Sequence, residues 1–201
     1  MRLLLGLICI GLGLIGQAAP VLVIGDSISI GYTPVVTTLL AGMADVKHHE
    51  GNAAHTGNGV AKLDEWLGSE KWKVIAFNFG LHDLKIMENG KHQVGVMDYE
   101  RNLDAIATRL EGTGARLLFV TTTPVPEGKL SPLRNPGDDV IFNEAALRVM
   151  TKHKIPVVDL YAFAKPRLAE IQGVANVHFK KEGSAMLAEL VAKAIEEQLK
   201  K

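Results

Sequence analysis

Four apolar runs rich in β-branched residues alternate along the chain with stretches of helical spacing. The runs are VLVIG (21–25), VIAFNFG (74–80), RLLFVTTT (116–123) and IPVVDLY (155–161), and a weaker one, ADVKHH, spans 44–49. Helical spacing is found near 34–43, 60–68, 98–112, 139–153 and 182–200. Near-continuous apolar strands that alternate with helices are typical of a parallel sheet covered by helices on both faces. The sequence therefore predicts an α/β fold.

Polar residues stand where the predicted strands end. Ser27 follows the first run, and Gly80 to Asp83 stand at the end of VIAFNFG and just after it. The segment 122–139, which holds four prolines, begins at the end of RLLFVTTT and is typical of a long surface loop. Ligands of open parallel sheets bind beyond the carboxyl ends of the strands. We therefore expect these residues to gather at one edge of the molecule.

Length and charge limit the possible classes of protein. The chain has 201 residues, which suffice for one domain with a full hydrophobic core. Its 22 basic residues offset 22 acidic ones, so there is no basic field that could hold a phosphate backbone. We expect no nucleic-acid partner, and nothing in the sequence indicates an oligomeric state.

The N-terminus resembles a secretory signal peptide. Arg2 is followed by an apolar run from Leu3 to Ile15 and by small residues that end at Ala18 and Ala19. The run is shorter than the roughly 20 residues of a membrane-spanning helix, so we expect no permanent anchor. The prediction is a signal peptide over 1–19, a single domain over 20–201, and a secreted or periplasmic protein. The only cysteine, Cys9, lies in the signal, so the mature protein should lack disulfides.

Ser27 has two interpretations at this stage. It could cap the helix that follows the first strand, or it could be a nucleophile, which would need a base to accept its proton. Among the seven histidines, His82 directly follows a buried strand and His178 stands just before the last helix. Either could lie near Ser27, whereas His48, His49 and His55 lack the paired acids of a metal site.

Four sequence blocks, in this order, resemble those of the SGNH hydrolases, also called GDSL-like esterases and lipases. They are GDSI (25–28), GNAAHTGNG (51–59), GLHD (80–83) and VHFKKEG (177–183). The resemblance implies a three-layer α/β/α sandwich of flavodoxin-like type, with a central parallel sheet of about five strands. It also implies an esterase that needs no metal or organic cofactor.

The same resemblance assigns roles to residues of each block. Ser27 would be the nucleophile and His178 its general base. The oxyanion would be held by the Ser27 amide, by the amide of Gly57, with Gly59 as an alternative, and by His82. Independently of the resemblance, we expect Asp83, next to His82, to brace its loop rather than take part in the reaction.

The chain departs from the family pattern at two positions. His82 stands where the family has an asparagine; a neutral imidazole can still donate a hydrogen bond, and a protonated one would make activity depend on pH. Ala175 stands three residues before His178, where the family has an aspartate. Loss of that acid can lower the rate by about 10⁴-fold. The base could instead be oriented by a backbone carbonyl near 175, by the Asn176 amide oxygen, or by another acid, for which Asp159 and Glu182 are candidates, or the enzyme could be impaired.

The expected activity is the hydrolysis of carboxylic esters through a Ser-His acyl-enzyme mechanism. Export, small size and a polar 122–139 loop favour short acyl groups, such as acetyl esters on carbohydrate, so the expected partner is a small-molecule or carbohydrate ester. A lysophospholipase or thioesterase of the same family is an alternative, which an apolar groove beside Ser27 would favour. A catalytically silent relative that binds acylated glycans is another, motivated by Ala175.

Overall fold

A computed structural model describes residues 18–201 of the chain. Residues 1–17, and with them nearly all of the predicted signal peptide, lie outside the described residues. Within 18–201, no helix is both long enough and apolar enough to cross a membrane.

The centre of the fold is a sheet in which five strands of the described chain run parallel. Its spatial order is β2-β1-β3-β4-β5, the flavodoxin-like order, so the predicted fold class is confirmed. The interior strand β1, between β2 and β3, is buried from Val21 to Ile24 because helices cover both faces of the sheet. The strands are β1 (Ala19–Ile24), β2 (Ala44–His48), β3 (Val74–Phe77), β4 (Arg116–Val120) and β5 (Val157–Val158).

Seven α-helices of the described chain surround the sheet. They are α1 (Ser27–Leu39), α2 (Thr56–Leu67), α3 (Val96–Glu111), α4 (Asp138–His153), α5 (Leu160–Ala164), α6 (Leu168–Ile171) and α7 (Lys181–Leu199), with a 3-10 turn (Lys165–Arg167) between α5 and α6. Helices α1 and α7 pack together in one layer, and α2, α3 and α4 pack side by side in another. These layers and the sheet form the α/β/α sandwich.

The first helix begins earlier than the sequence pattern predicts. We expected helical structure from about residue 34, but α1 begins at Ser27 and contains Pro34 in its interior. The side chain of Asp26 accepts a hydrogen bond from the Ile28 N–H and thereby caps the helix. The capping interpretation of Ser27 is therefore wrong, because Asp26 is the cap and Ser27 is the first helical residue.

The predicted strands are too long at their carboxyl ends. The third ends at Phe77 rather than at 80, and the fourth ends at Val120 rather than at 123. The last predicted run, 155–161, pairs only at Val157 and Val158. Its apolar continuation is helix α5, because the Asp159 side chain accepts from the Ala162 N–H and starts a helix there.

The segment after β4 is not a surface loop along its whole length. Residues 121–126 are buried, and only the later part carries exposed positions. Two side chains of α4 hold the buried part: Asn143 accepts from the Thr122 N–H at 2.9 Å and Asp139 accepts from the Val125 N–H at 2.7 Å. These bonds satisfy backbone groups that a buried loop would otherwise leave unpaired.

Gly59 allows helix α2 to approach the core closely. A Cβ atom at this position would lie 2.7 Å from Phe79 Cζ and 2.8 Å from Ile106 Cδ1. At Gly31 in α1, by contrast, a Cβ would meet only Ser184 Oγ at 3.5 Å, which is an ordinary contact. Close packing therefore requires glycine at 59 and not at 31.

We expect Gly59→Ala to lower the free energy of unfolding by about 1–3 kcal/mol, because the added methyl overpacks the core. The matched control Gly31→Ala also replaces a helical glycine, but it should be neutral or stabilising by up to about 1 kcal/mol. Urea unfolding of both variants measures the difference. Equal stability of the two variants would contradict the packing argument.

Candidate active site

Ser27 lies just beyond the carboxyl end of β1, an interior strand of the sheet. Gly25 ends the strand and cannot carry a side chain, since a Cβ there would lie 2.7 Å from Ser29 Oγ. The next residue, Asp26, caps α1, and Ser27 is therefore held in the first turn of that helix. The Ser27 N–H makes no hydrogen bond within residues 18–201 and is free to bind an oxyanion.

The hydroxyl of Ser27 meets the imidazole of His178. The distance between Ser27 Oγ and His178 Nε2 is 2.9 Å, although the two residues are 151 positions apart in the sequence. Ser27 is partly buried and His178 is exposed, so the pair is open to substrate. This distance is within the range over which a base can take a proton from a hydroxyl.

His178 is carried by a short loop between α6 and α7. Gln172 and Phe179 form an antiparallel bridge at its base, and the Gly173 N–H donates to the His178 carbonyl at 3.0 Å. The buried Gln172 side chain donates to the carbonyls of Pro124 and Val177 at 3.2 and 3.0 Å. The loop is thus tied to the segment that follows β4.

Asn176 fixes the orientation of the His178 ring. Its Oδ1 accepts from His178 Nδ1 at 2.8 Å and from the His178 backbone N–H at 3.0 Å. A backbone N–H can donate only to the oxygen of an amide, so the second bond determines which way the Asn176 amide is turned. The oxygen then faces Nδ1, the hydrogen of the ring lies on Nδ1, and Nε2 has a free lone pair directed at Ser27.

Neither of the two acids suggested by the sequence reaches His178. Asp159 is used in capping α5 and accepts from Thr121 Oγ1 at 3.2 Å, and Glu182 is exposed in the first turn of α7. Within residues 18–201, no carboxylate oxygen lies within 4.0 Å of the His178 ring. Ala175, whose φ is 46°, offers only a methyl group to the cavity that it lines together with Ser27 and His178. Of the alternatives considered, the structure therefore has the Asn176 oxygen in contact with the ring.

His82 is held as a neutral ring with a defined tautomer. Burial lowers its pKa to about 3, and the positive charges of Lys85 and Arg134 act in the same direction. Lys85 Nζ lies 2.8 Å from His82 Nδ1 and donates to it. Because Nδ1 is an acceptor, the hydrogen of the neutral ring is on Nε2, which can donate to another group. A charged His82 at neutral pH, considered above, does not agree with this environment.

Asp83 contacts Thr56 and does not line the cavity that holds Ser27 and His178. Its Oδ1 accepts from the Thr56 N–H at 2.8 Å and also from the Thr56 hydroxyl, so it ties the end of β3 to the start of α2. Burial raises the pKa of the Asp83 carboxyl to about 7. These contacts agree with the bracing role expected for Asp83.

The second sequence block is arranged differently from expectation. Gly59 donates its N–H to the His55 carbonyl within the first turn of α2, so it has no free amide. Gly57 lies in the same turn beside the His55 ring and does not line the cavity of Ser27. Asn52 does line that cavity, and its Oδ1 accepts from the Ala54 N–H, which leaves its Nδ2 group available. The prediction missed Asn52, although the block contains it.

Ser27, His82 and His178 line one open cavity of about 570 Å³, within the usual size of a small-molecule site. Its other walls come from the second block, from the segment after β4 and from the His178 loop. They consist of Asn52, Lys85, Lys129, Leu130, Ser131, Pro132, Arg134, Ala175, Asn176 and Val177. In the described part of the chain, no group of three or more His, Cys, Asp and Glu side chains could hold a metal ion. The cavity can therefore offer a hydroxyl, a base and several hydrogen-bond donors to a bound carbonyl group.

Comparisons with known structures agree with this fold. A lipase/acylhydrolase from Enterococcus faecalis is 20% identical, with a TM-score of 0.75 over 89% of this chain and 96% of its own. The acetyl xylan esterase AlAXEase is 16% identical, with a TM-score of 0.72 over 88% of this chain and 99% of its own. TesA is 21% identical, with a TM-score of 0.68 over 89% and 99%.

Sequence comparison is more specific than these distant structural likenesses. Among curated proteins, none matches the chain. The profile of the GDSL-like Lipase/Acylhydrolase family matches residues 23–186, which include Ser27, His82 and His178. The chain therefore belongs to the GDSL-like lipase/acylhydrolase family, and it is a hydrolase of ester bonds.

Proposed function

We propose that the protein is an exported serine esterase that removes short acyl groups, such as acetyl, from carbohydrate. The observation that carries the proposal is the 2.9 Å contact between Ser27 Oγ and His178 Nε2. The other ring nitrogen, Nδ1, donates to Asn176 Oδ1, which directs the free lone pair of Nε2 at Ser27. Without a base of this tautomer, a serine hydroxyl is a weak nucleophile at neutral pH.

The proposed reaction has two steps. Ser27 Oγ attacks the ester carbonyl carbon while its proton passes to His178 Nε2, and the alcohol then leaves with that proton. Water attacks the acyl-enzyme carbonyl while His178 takes a proton from the water, and His178 then gives that proton to Ser27 Oγ as the acid is released. Asn176 orients the ring in both steps, but as a neutral amide it stabilises the imidazolium less than a carboxylate would.

The oxyanion of each tetrahedral intermediate would be bound by groups at the same rim. These are the Ser27 N–H and His82 Nε2–H, with the Asn52 amide as a third donor from the second block. We favour Asn52 over Gly57 because Asn52 lines the cavity and Gly57 does not. Donors arranged before the reaction stabilise the developing charge without having to reorganise.

The character of the cavity supports a short acyl group and a polar alcohol. Apart from Leu130, Pro132, Ala175 and Val177, the lining residues are polar or charged, so the described residues of this cavity form no long apolar groove for a fatty acyl chain. One of the similar structures is an acetyl xylan esterase, whose substrate type fits such a cavity. Export is proposed from the signal-like residues 1–19 alone and can be tested by cell fractionation and N-terminal sequencing.

A catalytically silent, glycan-binding relative is a second candidate. The observation in its favour is Ala175, which leaves the ring of His178 without a carboxylate. The parent protein and Ala175→Asp can be assayed side by side, since aspartate tolerates the left-handed backbone of this position. Turnover only in Ala175→Asp would indicate an impaired esterase, and turnover in neither would support the binder.

Ser27→Ala tests the proposed function directly. We expect it to lower turnover of p-nitrophenyl acetate by at least about 10³-fold, because no other hydroxyl in residues 18–201 is hydrogen-bonded to His178. The exposed Ser69, which follows α2, provides the control Ser69→Ala, and this variant should retain parental activity. Full activity of folded Ser27→Ala would refute the proposal.

Asn176 tests how the base is oriented. We expect Asn176→Ala to lower kcat by about 10- to 100-fold, and Asn176→Asp to raise it by about tenfold, because a charged acceptor stabilises the imidazolium more strongly. A carboxylate also favours the protonated ring, so the acid limb of the pH–rate profile of Asn176→Asp should move to higher pH. A change in the conformation of the His178 loop alone would not move this limb. An unchanged pH–rate profile would contradict the assignment of Asn176 as the group that orients His178.

His82 tests the donor role of a neutral ring. We expect His82→Ala to lower kcat by about 10²- to 10³-fold and His82→Asn to remain within about tenfold of the parent, since asparagine can also donate. With a pKa of about 3, His82 loses its charge as pH rises through 3 and stays neutral at every higher pH. The pH–rate profiles of the parent and His82→Asn should therefore have the same shape between about pH 5 and 9. A pH-dependent rise or fall of the rate that the parent shows in this range and His82→Asn lacks would contradict this prediction.

A further inference from the structure

The cavity that holds Ser27 and His178 is positively charged. Three cationic side chains, Lys85, Lys129 and Arg134, line it, and no carboxylate does. Within residues 18–201, none of the three has a carboxylate oxygen within 4.0 Å, whereas lysines and arginines elsewhere form ion pairs. This local excess of positive charge exists in a chain whose formal net charge is zero.

Arg134 is the most informative of these cations because its side chain is buried. Its exposed fraction is only 5%. Its Nε donates to the Leu81 carbonyl at 2.9 Å and Nη1 donates to the Pro132 carbonyl at 3.1 Å. The remaining nitrogen, Nη2, has no hydrogen-bond partner within residues 18–201, and it is not fully enclosed, so it is accessible from the cavity that Arg134 lines. A buried charge is costly unless it is paired, so an unpaired guanidinium beside a cavity indicates that a ligand supplies the counter-charge.

Within residues 18–201, neither of the two buried acids nearest these cations, Asp26 and Asp83, forms an ion pair with them. Asp26 acts on Arg134 only from beyond ion-pair distance, and burial raises the pKa of its carboxyl. Asp83 is engaged by Thr56. Lys85 is half-buried next to His82, and Lys129 is exposed on the segment after β4. The cations therefore extend from the buried wall of the cavity to its mouth.

We propose that the ester substrate is anionic, and that its alcohol part carries a carboxylate or phosphate group that Arg134 and Lys129 bind. The planar guanidinium matches both oxyanions. An acetylated uronic acid unit, a sugar with its own carboxylate, satisfies this requirement together with the proposed function, on which the inference rests. The positive field would also draw such substrates toward Ser27.

Matched substrates test the proposal. Acetate release is measured for a mono-O-acetylated methyl glucuronoside, for its uncharged glucuronamide, and for the corresponding methyl glucoside 6-phosphate. We expect kcat/KM for the glucuronoside to exceed that for the glucuronamide by about tenfold at low ionic strength. The preference should decrease as salt is added, since salt screens the charges. Comparison of the 6-phosphate with the glucuronoside shows whether the cavity prefers a phosphate or a carboxylate group.

Variants assign the preference to the cavity. Lys129→Met should lower the ratio of glucuronoside to glucuronamide turnover by about two- to fivefold, because it removes one exposed charge. Arg134→Met should lower the ratio further, and thermal unfolding shows whether this variant remains folded. The control Lys71→Met removes an exposed lysine before the amino end of β3, at the opposite edge of the sheet, and should leave the ratio unchanged.

The outcomes separate this inference from the proposed function. If p-nitrophenyl acetate and all the sugar acetates are untouched by the folded parent, the proposed function fails. If the parent hydrolyses neutral and anionic esters equally well, the anionic preference is overturned while the esterase assignment stands. If the preference exists but persists unchanged in Lys129→Met and Arg134→Met, the cavity cations do not cause it and the inference is also overturned.

Discussion

The parallel direction of all five strands is the constraint on which the site depends. Parallel strands have their carboxyl ends at one edge, so the turns after β1, β3 and β4 are neighbours although they are distant in the sequence. The last helix, α7, begins at the same edge, and the loop before it carries His178 to Ser27. A hydroxyl and a base separated by most of the chain thus meet at this edge, beside the packed helices α1 and α7.

Much of this architecture could be predicted because it depends on local patterns. Apolar runs of strand length, separated by helical spacing, are sufficient to predict a parallel sheet with helices on both faces. Ser27, His82 and His178 were also identifiable, since each stands next to the end of a predicted element or in a block typical of the family. Element boundaries were less predictable: the hydroxyl-rich end of β4 has the composition of a strand, but α4 side chains draw it out of the sheet.

Two features of the site depend on hydrogen bonds that no sequence pattern specifies. From the sequence alone, a backbone carbonyl, the Asn176 oxygen or another acid could each orient the His178 ring. In the structure, the hydrogen bond from the His178 backbone N–H to Asn176 Oδ1 determines how the Asn176 amide is turned. In the same way, the neutral state of His82 follows from burial and from Lys85, three residues further along. Gly57 is a contrasting case, because it stands at the expected spacing but lies in the first turn of α2 and does not line the cavity of Ser27.

The Gln172 side chain connects two parts of the molecule that would otherwise vary separately. It bonds both the Pro124 carbonyl, in the segment that forms one wall of the cavity, and the Val177 carbonyl, next to the base. Sequence changes that reshape that wall for a different alcohol would therefore also displace the imidazole, so selectivity and turnover are mechanically coupled in this scaffold. Directed evolution toward new substrates would have to adjust the wall and the base-bearing loop together.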